Sequence, residues 1–136
     1  MAARLLIDTA WAIALLNERD TLHLEARELL EYIEAADEVL IPEAVLVEIG
    51  NALSRSSRAA AATFIGSCYE MPNAKVVPVD TALLQRATRL YASRGDKTWG
   101  LTDCISFEVM RDFGVSEAAT VDRHFAQAGY VALMRR

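Results

Sequence analysis

Short apolar runs alternate with helix-forming segments along the whole chain, and this alternation restricts the possible folds more than any other feature. The predicted strands are Arg4–Ile7, Glu38–Ile41, Lys75–Val79, Ala118–Val121 and Tyr130–Leu133. Between them, apolar residues recur at helical spacing, and glycine or proline ends several of the helices. The pattern predicts a three-layer α/β/α sandwich, in which helices cover both faces of a central, mainly parallel sheet of four to five strands.

The composition is typical of one globular domain. The chain has 136 residues, of which 53% are hydrophobic, and this is enough to bury a continuous core. Repeats, linkers and low-complexity segments are absent from the sequence, so we expect a single domain over residues 1–136. No stretch approaches the ~20 apolar residues of a membrane span. The N-terminus also lacks the features of a signal peptide, and a cytoplasmic location is the default expectation.

Charge is distributed unevenly along the chain. The formal net charge is −5, which gives no overall electrostatic reason to expect nucleic-acid binding. Residues 18–48 hold ten acids and two arginines, a net charge of −8, whereas residues 49–136 hold eleven bases and eight acids, a net charge of +3. The second half can therefore present a basic rim around an acidic site. The two cysteines, Cys68 and Cys104, lack the spacing of a zinc site or a disulfide framework.

Acidic residues follow two of the predicted strands, at the point where each strand ends. Asp8 follows the first strand and Asp122 follows the fourth, and ligands bind beyond these ends in parallel sheets. Asp103 lies in the first turn of a helix that Thr102 is placed to cap, and it shares a helical face with packing positions. Glu48 falls on the flank of an apolar helical stripe. The predicted fold therefore brings Asp8, Asp103 and Asp122 to one edge of the sheet.

Each of these acids also has a simple structural explanation. Asp8 and Asp122 can cap helices, the helix dipole favours Asp103 by ~0.3–1 kcal/mol, and Glu48 can be solvated or pair with Arg55. Carboxylates gathered at one place repel one another, however, and a cation is the usual remedy. Oxygen ligands without histidine or cysteine favour Mg²⁺ or Mn²⁺ over zinc. The expected substrate of such a site is a phosphate attacked in line by water.

Four segments resemble the motifs of PIN-domain ribonucleases, of the kind that serve as VapC-type toxins in VapBC toxin–antitoxin pairs. They are Leu5–Thr9, Glu43–Leu53, Asp96–Phe107 and Ala119–Phe125, and they follow the family's order and spacing over essentially the whole chain. The family's acidic quartet falls on Asp8, Glu48, Asp103 and Asp122. An additional acid of the family falls on Asp96, Thr120 matches a hydroxyl residue, and Gly100 stands where many relatives carry serine.

The resemblance implies a PIN-like fold and a metal-dependent endoribonuclease that leaves a 5′-phosphate and a 3′-hydroxyl. The implied catalytic residues are Asp8, Glu48, Asp103 and Asp122. The implied ligands of Mg²⁺ or Mn²⁺ are Asp8, Asp103, Asp122 and Asp96, whereas Glu48 either binds metal or orients the attacking water. The implied partners are an RNA substrate, a small antitoxin protein and a second copy of the chain. Apolar residues within 59–64 suit either a subunit interface or the core.

Several further residues are candidates for RNA contacts. They are Thr120, Arg55, Lys97 and Arg123, to which Arg94 can be added, because phosphate contacts supply most non-specific affinity for nucleic acids. Trp99 can stack on a base or pack over its loop. His124 can touch a phosphate or serve a structural role.

Two other functions remain open from the sequence. The first is a PIN nuclease that acts in RNA processing outside any toxin pair. The second is a non-catalytic interaction domain. A receiver-like module also gathers acids at strand ends, but it requires a lysine after the last strand, and no lysine follows Lys97.

Overall fold

A computed structural model describes residues 3–135, so the predicted domain of residues 1–136 extends beyond it by two residues at the start and one at the end. The strands are β1 (Arg4–Ile7), β2 (Glu38–Pro42), β3 (Ala74–Val77), β4 (Glu117–Ala119) and β5 (Val131–Ala132). The helices are α1 (Thr9–Leu16), α2 (His23–Glu28), α3 (Leu30–Ala35), α4 (Glu43–Ala52), α5 (Arg58–Glu70), α6 (Thr81–Ser93), α7 (Leu101–Phe113) and α8 (Arg123–Gln127). Within residues 3–135, no helix is long and apolar enough to cross a membrane.

The five strands form one parallel sheet in the order β3-β2-β1-β4-β5. The chain adds β2 and β3 on one side of β1, and then crosses over to add β4 and β5 on the other. Strand order therefore reverses between β1 and β4. A reversal of this kind opens a crevice at the carboxyl ends of the two strands, which is where open α/β sheets bind ligands.

Side chains of β1 alternate between two apolar cores, one on each face of the sheet. Leu5 and Ile7 belong to the core that includes Trp11 of α1, whereas Leu6 belongs to the core that includes Phe107 of α7 and Phe125 of α8. Leu5, Leu6 and Ile7 are all buried, whereas Arg4 at the start of β1 is exposed. A strand covered on both faces needs a continuous apolar run, which explains the sequence pattern at this position. The predicted α/β/α sandwich with a parallel sheet is confirmed.

Element boundaries differ from the prediction in a few places. Helix α7 begins at Leu101 with Gly100 as its N-cap, so the predicted capping role of Thr102 was wrong. Strand β3 ends before Pro78, which has no N–H to continue a hydrogen-bonded ladder. Strands β4 and β5 are also shorter than predicted, at three and two residues.

Candidate active site

The four acids of the predicted quartet line one cleft at the carboxyl edge of the sheet. The cleft has a volume of about 460 Å³ and is lined by Asp8, Thr9, Ala10, Ile13, Glu48, Gly100, Leu101, Thr102, Asp103 and Asp122. Asp8 follows β1 and Asp122 follows β4, so the reversal of strand order brings these two together. Glu48 is supplied by α4 and Asp103 by α7.

Asp8 is the most deeply buried of the four acids, with 5% of its surface exposed. Although it is the N-cap residue of α1, its side chain makes no capping hydrogen bond. Its Oδ2 instead accepts a hydrogen bond of 2.7 Å from the hydroxyl of Thr120. Burial raises the pKa of Asp8 from 3.8 to about 6, and the Thr120 hydroxyl opposes part of this rise.

Thr120 lies behind Asp8 and is fully buried. Its hydroxyl donates to Asp8 and accepts a 3.0 Å hydrogen bond from the backbone N–H of Asp122. A side chain with no exposed surface and with these internal partners is not available to RNA. The structure therefore favours a role in positioning Asp8 and Asp122 over the predicted contact with substrate.

Asp103 is held at the start of α7 by two hydrogen bonds to the same oxygen. Its Oδ2 accepts from the backbone N–H of Gly100 at 3.0 Å and from Nδ1 of His124 at 2.8 Å. The Gly100 contact is one half of a capping box, since glycine has no side chain to return the bond. Burial raises the pKa of Asp103, and these two donors oppose the rise.

Asp122 caps the short helix α8. Its Oδ1 accepts a hydrogen bond of 2.9 Å from the backbone N–H of His124 and lies 3.3 Å from Nδ1 of the same residue. Asp122 is therefore a helix cap and also a member of the cleft. The structural explanation that the sequence offered for this residue is real, but it accounts for only one of the two carboxylate oxygens.

Glu48 projects from α4 at the rim of the cleft and is exposed. Its Oε1 accepts a 2.7 Å hydrogen bond from the hydroxyl of Thr9, which directly follows Asp8. The alternative pairing with Arg55 is not formed. The hydroxyl of Thr120 thus positions the carboxylate of Asp8, and the hydroxyl of Thr9 positions that of Glu48.

The cleft acids have no basic partner of the usual kind. Within residues 3–135, no lysine or arginine forms an ion pair with Asp8, Glu48, Asp103 or Asp122; the two contacts of this type both come from His124, one to Asp103 and one to Asp122. No lysine or arginine of the described chain therefore neutralises their charge. Carboxylate oxygens that converge without a cationic side chain are a donor set that suits a hard divalent cation.

The fifth predicted acid, Asp96, lies apart from the other four. It is exposed and pairs with Arg94, with Nε–Oδ1 and Nη2–Oδ2 distances of 2.9 Å. This guanidinium lowers the pKa of Asp96 to about 2. Lys97 approaches the same carboxylate at 3.9 Å. Asp96 does not line the cleft.

The remaining predicted contacts with RNA lie outside the cleft lining. Arg55 is exposed in the turn after α4, and Arg123 is exposed at the first position of α8. Trp99 is buried against α7 and α8, so the packing interpretation describes it better than base stacking does. Its ring meets the edge of Phe107 at 5.0 Å between centroids, and its Nε1 donates to Gln127 at 3.0 Å.

Sequence reasoning missed Thr9 and Thr98 and gave His124 too small a role. Asp103, Asp122 and His124 each offer a ligand atom within 4.8 Å of the others. Nε2 of His124 lies 3.1 Å from the hydroxyl of Thr98. The proximity of His124 to Asp122 in sequence was a usable signal, whereas nothing in the sequence pointed to Thr98.

The PIN domain family model matches residues 5–130. This span covers nearly all of the chain and contains all four cleft acids. The chain therefore belongs to the PIN-domain family.

Two solved structures make the similarity more specific. The first is VapC20 of Mycobacterium tuberculosis, a toxin that cleaves the sarcin–ricin loop, with a TM-score of 0.83, 26% identity and coverage of 93% of this chain and 96% of that one. The second is VapBC2 of Rickettsia felis bound to a DNA fragment from their promoter, with a TM-score of 0.66, 11% identity and coverage of 95% and 96%. No curated protein sequence matches the chain. The resemblance to VapC-type PIN proteins is confirmed.

Proposed function

We propose that this protein is a metal-dependent endoribonuclease that hydrolyses RNA phosphodiester bonds as the toxin of a toxin–antitoxin pair. The observation that carries the proposal is the convergence of Asp8, Glu48, Asp103 and Asp122 in one cleft with no lysine or arginine paired to them within residues 3–135. Membership of the PIN-domain family and the similarity to a VapC toxin support the same function.

The donor set fits Mg²⁺ or Mn²⁺. Asp8, Asp103 and Asp122 would hold the ion directly or through water, because their carboxylates lie deepest in the cleft. When bound, such an ion neutralises the carboxylates, polarises a phosphate oxygen and lowers the pKa of bound water. The predicted metal role of Asp96 has less support, because its carboxylate is already engaged by Arg94.

The protein's own residues would position the acids and activate the attacking water. Thr120 and Thr9 fix the orientations of Asp8 and Glu48 through hydrogen bonds of 2.7 Å. Glu48 lies at the rim, where an exposed carboxylate can orient the attacking water and accept its proton. Preorganised carboxylates need little rearrangement when substrate arrives.

Exposed cations supply affinity for the RNA backbone in this proposal. Arg55 and Arg123 are solvent-exposed, and Lys97 is half-buried beside Asp96. Each phosphate contact of this kind would make binding weaker as salt concentration rises. Replacing Arg55 or Arg123 by alanine should therefore weaken RNA binding and reduce its dependence on salt.

Cleavage of purified RNA tests the proposal. Tag-free protein with Mn²⁺ or Mg²⁺ should cleave a structured RNA, such as a transfer or ribosomal RNA, and leave 5′-phosphate and 3′-hydroxyl ends. The sarcin–ricin loop is the first substrate to try, because the similar M. tuberculosis toxin cleaves it. The double variant Asp8→Asn/Asp103→Asn should be inactive. Absence of cleavage in either metal would refute the proposal, as would equal cleavage by the double variant, which would indicate a contaminating nuclease.

A small antitoxin protein is the proposed partner in the cell. The similarity to the R. felis VapBC2 structure supports this choice. Expression of the chain alone should arrest growth, and co-expression of a neighbouring reading frame should restore it. If no neighbouring frame has this effect, the nuclease belongs instead to RNA processing.

Homodimerisation stays a prediction. Ala61 of α5 is buried in the core, whereas Ala59, Ala60 and Ala62 are exposed and available to a second copy. Light scattering behind a sizing column would measure the oligomeric state.

A further inference from the structure

His124 occupies a central position between two of the cleft acids. Its Nδ1 lies 2.8 Å from Oδ2 of Asp103 and 3.3 Å from Oδ1 of Asp122. The imidazole is largely buried, with 18% of its side chain exposed, compared with 16% for Asp103. One nitrogen atom is therefore placed between the carboxylate of Asp103, in α7, and the carboxylate of Asp122, the N-cap of α8.

These spacings are those of neighbouring ligands around one ion. Ligands at about 2.1 Å from an octahedral cation lie roughly 3.0 Å apart when they occupy adjacent positions. The two observed nitrogen–oxygen distances, 2.8 and 3.3 Å, lie on either side of this value. The ligand atoms of Asp103, Asp122 and His124 all lie within 4.8 Å of one another, a spacing that one ion can bridge.

We propose that Nδ1 of His124 is a direct ligand of the divalent cation, together with Asp103 and Asp122. The proposal rests on the proposed function, because it concerns the ion of the same site. It adds a nitrogen to a donor set that was predicted to consist of oxygen alone.

Thr98 allows His124 to change between two hydrogen-bonded states. Its hydroxyl lies 3.1 Å from Nε2, and a hydroxyl can both donate and accept. Without an ion, Nδ1–H donates to Asp103 and the Thr98 hydroxyl donates to Nε2. With an ion, the Nδ1 lone pair faces the metal and Nε2–H donates to Thr98.

The two states differ in which ring nitrogen carries the N–H. Metal-binding histidines commonly donate their second N–H to such a partner, which fixes the tautomer and the orientation of the ring. Thr98 is thus placed to support metal binding without losing its hydrogen bond in the ion-free protein.

A nitrogen ligand also affects which metal is preferred. Mn²⁺ is a first-row transition ion that also binds at mixed nitrogen and oxygen sites, whereas Mg²⁺ demands near-ideal octahedral geometry and usually keeps several waters. His124 should therefore favour Mn²⁺ over Mg²⁺ relative to a site built from oxygen alone.

The competing explanation is that His124 only clamps Asp103 and Asp122 by donating a hydrogen bond. The variant His124→Gln separates the two roles, because an amide can donate to a carboxylate but is a poor metal ligand. A clamp would be largely retained by glutamine, whereas a ligand would be lost.

Pulsed electron paramagnetic resonance of bound Mn²⁺ is the deciding measurement, made on tag-free protein so that no other histidine tract binds the ion. We expect coupling between Mn²⁺ and a ¹⁴N nucleus in the unmodified protein and none in His124→Gln. The chain's other histidine supplies the control. His23 donates to the carbonyl of Ala14 at 2.9 Å and, within the described residues, forms no ion pair with a cleft acid, so His23→Gln should retain the coupling.

Calorimetry provides a second readout. His124→Gln should raise the Mn²⁺ dissociation constant by about 10- to 100-fold and the Mg²⁺ constant by less, and Thr98→Val should raise the Mn²⁺ constant by about 10-fold. Mn²⁺ bound without nitrogen coupling would overturn the ligand assignment and leave the nuclease proposal intact. Failure of the unmodified protein to bind Mn²⁺ or Mg²⁺ at millimolar concentration would overturn both proposals.

Discussion

Helix α7 carries two groups of carboxylates that differ in their neighbours. At its start, Asp103 belongs to the cleft acids (Asp8, Glu48, Asp103 and Asp122), none of which pairs with an arginine or lysine within the described residues 3–135. Further along, Glu108 and Asp112 belong to an arginine cluster. Its contacts are Arg86–Glu108 at 3.3 Å, Arg111–Glu108 at 2.9 Å and Arg86–Asp112 at 2.6 Å.

The difference separates carboxylates that are paired with arginine inside the fold from carboxylates that have no lysine or arginine partner. Glu108 is 6% exposed, and two arginines compensate for the cost of burying it. Asp8 is equally buried but lacks such a partner, and burial raises its pKa to about 6. A buried carboxylate without a cation destabilises the ion-free protein. In the ion-free protein the negative charge of the cleft carboxylates is therefore unfavourable, and a cation from solution can stabilise it.

The largest expected effect separates the two ends of α7 by activity. Asp103→Asn should reduce RNA cleavage by about 10³-fold or more, because it removes a preorganised charge at the reacting phosphate. Asp112→Asn on the same helix should cleave normally. Initial rates on one labelled RNA compare the variants, and a similar loss in both would abolish the distinction between the two groups.

The next largest effect is on stability, which should decrease as pH rises from acid to neutral. Because the pKa of Asp8 is raised in the folded protein from 3.8 to about 6, the folded state binds this proton more tightly than the unfolded chain. The free energy of unfolding should therefore fall as pH rises from about 4 to about 6, by up to about 3 kcal/mol, and stay low above that.

The variant Asp8→Asn removes the free-energy cost of burying a charged carboxylate at this position. Its amide oxygen still accepts the hydrogen bond from Thr120. In chelator at pH 7.5 the variant should be more stable than the unmodified protein by up to about 3 kcal/mol, and at pH 4 the two should be similar. Urea unfolding at both pH values provides the measurement. If the variant is less stable than the unmodified protein at pH 7.5, the charge of Asp8 does not destabilise the ion-free protein.

The arginine cluster should respond in the opposite direction. Glu108→Gln leaves Arg86 and Arg111 without their shared carboxylate and should destabilise the protein by about 1–2 kcal/mol, a value reduced because both arginines are partly exposed to solvent. Urea unfolding in chelator is again the measurement. Stabilisation by Glu108→Gln would mean that the two groups of acids are energetically alike.

The smallest expected effect concerns Asp96. Its carboxylate pairs with Arg94 and does not line the cleft, so Asp96→Asn should leave the Mn²⁺ dissociation constant unchanged. Calorimetry of the variant tests this. An increase of about tenfold in this constant, the size expected for a residue that supports a metal site, would show instead that Asp96 contributes to metal binding.

The sequence predicted those parts of the molecule that follow from chain direction. Parallel strands place Asp8 and Asp122 at one edge of the sheet, so their convergence needed no knowledge of packing. The continuous apolar run of β1 likewise indicated a strand buried on both faces. The predicted fold also brought Asp103 to this edge, and the family motifs added Glu48; the cleft contains both residues.

Contacts between elements were beyond the reach of sequence patterns. The hydrogen bond from His124 to Asp103 depends on how α8 packs against α7, and residues 21 apart in sequence carry no periodic signal of such a contact. Thr120 was assigned to substrate, although its hydroxyl is buried against Asp8. The N-cap of α7 was misassigned because Thr102 is a common capping residue, whereas the observed cap is a glycine whose N–H binds Asp103.

Gly100 leaves one wall of the cleft open to change. Its backbone is extended, with φ −78° and ψ 167°, a conformation that any residue adopts. A Cβ atom built on it would meet Oδ2 of Asp103 at 3.9 Å, an ordinary contact. A serine, an alanine or a larger residue can therefore be introduced here without strain in the backbone. Position 100 is therefore a point at which the shape of the cleft can be changed while the sheet and helices around it stay the same.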